Sequence, residues 1–159
     1  MGAAEWAAQK ARNIQEAREA EGMRIALNLE RQNIRRANFP DLIEELTGAF
    51  QSYCDEYNKR RPAGDRSVHY NAASGTLWLL KRDAGISEMH VQANFSACAI
   101  RVAAHNCSFQ YVHTYRPEAL NDGSAMLSHS GSRRLVTPDD VAREAMDAFL
   151  DGRELAERL

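Results

Sequence analysis

A chain of 159 residues with 44% hydrophobic and 26% charged side chains has the make-up of a folded globular protein, long enough to bury a core. Its net charge of −2 excludes a surface given over wholly to nucleic acid or anionic membrane. No apolar run approaches the roughly 20 residues that cross a bilayer, and the first residues lack the apolar centre of a signal peptide.

Residues 3–37 read as one long helix, rich in Ala, Glu, Arg and Gln, with no proline and a single glycine. Trp6, Ala20, Leu27 and Ile34 recur at multiples of seven, but Asn13 interrupts them. The companion positions Gln9, Glu16, Met23 and Glu30 are mostly polar, so a regular coiled-coil seam is not the expectation. Asn38-Phe39-Pro40-Asp41 reads as a break that restarts the chain as a second helix over 41–58, with Pro40 in its first turn. Leu42, Leu46, Ala49, Phe50, Tyr53 and Tyr57 then step by three and four and form one apolar stripe. Residues 1–37 are thus expected as a helical extension, and 38–159 as a single domain.

After the basic stretch Lys59-Arg60-Arg61, residues 67–70 and 76–81 read as a hairpin across Asn71-Ala72-Ala73-Ser74-Gly75. Asp83-Ala84-Gly85 turns the chain into a third strand over 87–95, in which Met89, Val91, Ala93 and Phe95 alternate with His90, Gln92 and Asn94. Fourth and fifth strands follow over 100–104 and 108–115. Turns centred near 97–98 and 105–106 pair Phe95 with Ile100, Ala93 with Val102, Val102 with Phe109, and Ile100 with Tyr111, which keeps one face apolar. Residues 116–135 read as a long loop with a short sixth strand near 125–128. Thr137-Pro138-Asp139-Asp140 then caps a last helix whose Val141, Ala145, Met146 and Phe149 face the core, and the charged tail after Gly152 is expected to fray. The fold class is α+β: an antiparallel meander of five or six strands, helices on one face, and a long amino-terminal helix.

Chemistry is sparse. The histidines 69, 90, 113 and 129 show neither helical four-residue spacing nor a shared sheet face, and there is no Cys-x-x-Cys, so no metal and no cofactor are expected. Cys98, Tyr111, His113 and Tyr115 form a candidate pocket in the proposed register, which would suit a small enzyme if the thiol met the imidazole. Ser130, Ser132, Arg133 and Arg134 carry the groups of an anion-binding loop. Basic residues gather at Arg31, Arg35 and Arg36 and again at Lys59, Arg60, Arg61 and Arg66, which supports a nucleic-acid reading only if they converge. Trp6, Leu27 and Ile34 on the helix and Trp78 on a strand are candidate interface residues. Three scattered cysteines, Cys54, Cys98 and Cys107, fit a reducing compartment, so the cytosol is the expected location.

A helix of about 35 residues with little to bury alone points to order gained from a partner. The expected function is therefore a non-catalytic binding or regulatory protein, working through protein–protein contacts and self-associating through its amino-terminal helix, rather than an enzyme. A nucleic-acid or phosphate-ligand binder and a small enzyme are the alternatives.

Overall fold

The computed structural model describes residues 2–73, 75–82 and 86–152. Ser74, the Asp83-Ala84-Gly85 turn and the tail after Gly152 lie outside the described residues. The elements run α1 (Ala3–Arg60), β1 (Val68–Ala73), β2 (Thr76–Arg82), β3 (Ile86–Asn94), β4 (Ala99–His105), β5 (Val112–Ala119), β6 (Ala125–His129), β7 (Leu135–Val136) and α2 (Pro138–Asp151). The strands form one antiparallel sheet in sequence order, seven strands rather than five or six. The α+β meander with a long first helix is present as expected.

The first correction concerns the break at residues 38–41. α1 runs unbroken through Pro40. Proline in a helix interior removes the hydrogen bond to the carbonyl four residues back and costs about 3 kcal/mol. Packing offsets that cost. Phe39, Leu42, Leu46, Phe50 and Cys54 are all buried at three- and four-residue steps, and only a continuous helix holds Phe39 in register with the rest. Asn38 helps at the same turn, its amide donating to the carbonyls of Ile34 at 2.8 Å and Gly123 at 3.2 Å.

The strand register is the second correction. Ala93 faces Ile100 and Val91 faces Val102, a shift of two residues from expectation. Asn94 Oδ1 accepts from the Ser96 hydroxyl and the Ala97 N–H, closing that turn early. Phe95 therefore sits in the turn, half exposed, with its ring edge-on to Phe39 at 5.5 Å. Across the next turn Val102 faces His113 and Ile100 faces Tyr115, a shift of four. Here Asn106 takes a left-handed conformation, and the strand begins only at Val112. Both shifts are even. A side-chain period of two means that even shifts preserve the faces, so Ile100, Val102, Tyr111 and Tyr115 remain buried together.

The carboxy-terminal half of α1 lies on that apolar face, and α2 packs against α1 with Val141, Ala145 and Phe149 joining the same core. Thr137 caps α2, its hydroxyl accepting from the Asp140 N–H at 3.1 Å while the Asp140 carboxylate accepts from the Thr137 N–H. Tyr53 on α1 donates to the Asp139 carboxylate at 2.9 Å, tying the helices together. Gly152 ends α2 at φ 68°, a left-handed position that suits glycine.

Candidate functional site

Three features are available for contact: the free length of α1, the open face of the sheet, and a histidine cluster at one end of the core.

Every residue from 2 to 33 is exposed, a length of helix of about 45 Å. Its hydrogen bonds are local, such as Gln15 to Glu19 and Arg24 to Glu21. Along α1 the first polar contacts with the domain among the described residues are made by Arg35, which meets Glu118 at 3.3 Å, and by Asn38. Among the candidate interface residues, Trp6 and Leu27 are exposed and Ile34 is half-buried at the root of the extension. Ile14, Met23, Ile25 and Leu29, which the heptad spacing of Trp6, Leu27 and Ile34 does not include, are exposed as well. Ala7, Ala11, Ile14, Ile25 and Leu29 lie within one narrow stripe at 100° per residue.

The sheet face opposite the helices is uncovered among the described residues. One row across it reads Asn71, Trp78, His90, Ala103 and Val112. Trp78 stacks on His90 at 5.3 Å, and His90 stacks on His105 at 4.1 Å. The Glu88 carboxylate meets His90 Nε2 at 3.2 Å. His105 Nε2 is buried without a hydrogen-bond partner among the described residues. Burial, then the neighbouring His90 and Arg101, hold the His105 pKa below its ordinary value, with Glu88 opposing them. Stacked rings direct their nitrogens side by side rather than at one point, and among the described residues no group of three or more His, Cys, Asp or Glu is placed to hold a metal ion.

At the far end of the core, Tyr111, His113 and Tyr115 stand together, with His113 edge-on to Tyr111 at 4.5 Å. Their fourth member is His129, whose Nε2 lies 2.7 Å from His113 Nδ1, rather than Cys98. Cys98 sits at the β3–β4 turn, four residues from Val102, the partner of His113, or about 13 Å along the chain. The shifted register removes the proposed thiol–imidazole pair. Nothing local in the sequence marks His129 as the partner, because the pairing of β5 with β6 creates it.

Two of the four anion-loop side chains are engaged within the protein, the Ser132 hydroxyl with His129 Nδ1 and Arg134 with Glu144, while Ser130 and Arg133 are held through their backbone. The Ser130 N–H donates to the Thr114 carbonyl, the Arg133 N–H to the His129 carbonyl, and the Ser132 N–H to His129 Nδ1. Arg134 turns onto the Glu144 carboxylate at 2.9 Å. Among the basic groups, Arg35 is engaged by Glu118, while Lys59 and Arg60 meet Glu56. One unbroken helix also sets Arg36 and Lys59 about 35 Å apart, so the two clusters do not converge on one patch.

Among the described residues no helix is long and apolar enough to cross a membrane. Compared with known protein families, curated proteins and solved structures, the chain matches none.

Proposed function

We propose that this is a non-catalytic binding or regulatory protein that works through protein–protein contacts and self-associates through its amino-terminal helix. The observation that carries the reading is the exposure of all of residues 2–33, including Trp6, Ile14, Met23, Ile25, Leu27 and Leu29. An isolated helix gains little in water from its own hydrogen bonds, and most helical stability comes from packing an apolar face. Burying Ile14, Ile25 and Leu29 in a partner helix would contribute about 1.5–3 kcal/mol each. The free thiols of Cys54, Cys98 and Cys107 support a reducing compartment, and we place the protein in the cytosol.

Light scattering on the full chain tests this, with Ile25→Glu and Leu29→Glu introduced together. The expected result is an oligomer that the paired substitution dissociates while the domain stays folded. A strict monomer whose amino-terminal helix already resists protease removes the reading.

A further inference from the structure

β7 has only two residues, so β1 is the long free edge of the sheet. Exposed edges normally carry a charge, a proline or a bulge to block pairing. Val68–Ala73 reads VHYNAA and has no proline and no acidic, lysine or arginine residue.

One position on that edge is already taken. The Asn58 side chain at the end of α1 donates to the Val68 carbonyl at 2.8 Å and accepts from the Val68 N–H at 2.9 Å, standing in for a neighbouring strand. Val68 therefore turns its backbone groups away from β2. Antiparallel ladders alternate residue by residue, so Tyr70 and Ala72 turn theirs outward too, while His69, Asn71 and Ala73 bond to β2. The outward groups of Tyr70 and Ala72 meet no partner among the described residues.

We propose that a second copy of this chain docks here, β1 against β1, antiparallel about a two-fold axis through Asn71. Asn58 determines that register. With Val68 occupied, only Tyr70 and Ala72 have groups to give, and the axis at Asn71 pairs each Tyr70 with the partner's Ala72. On the helix side this sets a large ring opposite a methyl group, twice. On the open side the two Asn71 amides meet as a close cross-strand pair, flanked by Trp78 of each copy. The two Val68 ends of β1, and with them the basic stretches that precede it, fall on opposite sides of the axis, the Val68 ends about 20 Å apart and beyond the screening length in physiological salt. A strand edge is self-complementary in this way because a two-fold axis returns the same donors to the same acceptors. The interface is small, so the dimer is weak and concentration-dependent. The inference shares with the helix reading only the premise of protein contact.

Sedimentation of the full chain over a concentration series, together with backbone amide exchange, tests it. Ala72→Pro deletes an outward N–H and leaves the β1–β2 ladder intact. The lost bond recurs across the axis, so the dimer should weaken by about tenfold or more. Asn71→Lys opposes two ammonium groups at the axis, so dimerisation should fall at low salt and recover at high salt. Exchange at the Tyr70 and Ala72 amides should slow as concentration rises. Should Ala72→Pro fail to fold, the lysine variant and the exchange series decide. Wild-type association in the lysine variant, or concentration-independent exchange at those amides, overturns the proposal. Dissociation by the Ile25→Glu/Leu29→Glu pair alone would keep the helix reading and reject the edge; the reverse pattern would do the opposite.

Discussion

His129 Nε2 and His113 Nδ1 lie 2.7 Å apart, and His129 Nδ1 is 3.0 Å from the Ser132 N–H. A backbone N–H only donates, so His129 Nδ1 accepts. The neutral ring then carries its proton on Nε2 and donates it to His113, which fixes both tautomers. Removing His129 takes away the acceptor of the Ser132 N–H and the ring hydrogen bond to His113. His129→Leu should cost about 1–3 kcal/mol in urea unfolding. Long-range proton–nitrogen spectra at alkaline pH should show His129 as the Nε2–H tautomer; the Nδ1–H form would contradict this account.

His105 carries the acid sensitivity of the open face. Its pKa is held below the ordinary 6.5, mainly by burial, so below that pH the unfolded chain takes up a proton that the folded chain refuses. Its contribution to stability is complete above the unfolded value and declines as pH falls through it. Urea midpoints measured from about pH 8 to about pH 5 should therefore drop toward acid. His105→Phe keeps a ring stacked on His90 without a titrating nitrogen, and should flatten that part of the profile.

Cys54 should be inert in the folded protein. Burial, followed by the neighbouring Asp55, pushes its thiol up to about 12, and its sulfur packs against that of Met146. At neutral pH almost none of it is thiolate, the form that reacts, so alkylation of Cys54 should be more than about a hundredfold slower than that of an exposed cysteine. Mass spectrometry of partly alkylated protein should find Cys98 and Cys107 modified first, and Cys54 only after denaturation. Early labelling of Cys54 would mean that the α1–α2 seam opens.

Pro40 is exposed while the helix around it is held by buried neighbours. Pro40→Ala restores an N–H to the Arg36 carbonyl without disturbing a packed side chain. It should stabilise the domain by about 1–3 kcal/mol with no loss of helical circular dichroism. A destabilised variant would show that the ring serves a structural purpose.

The faces of the sheet were legible along the chain because side-chain alternation is local. Met89, Val91 and Ala93 declare a buried side whatever the register, and an even slip leaves that declaration intact. The cap of α2 was equally legible, since Thr137, Pro138, Asp139 and Asp140 satisfy that helix end among themselves. The candidate sites were not. Moving the β4–β5 pairing by four residues exchanged Cys98 for His129 beside His113 and left the apolar pattern untouched.

Local patterning by itself thus determined the class of fold, the buried stripe of α1 and the polar face of the sheet, because burial acts on side-chain periodicity. Only tertiary contact decided that α1 runs straight through Pro40, that Arg134 turns to Glu144, and that Asn58 seals the first position of the β1 edge. Each of those joins residues distant in sequence or sets packing energy against a local preference, and neither leaves a trace in the order of nearby residues.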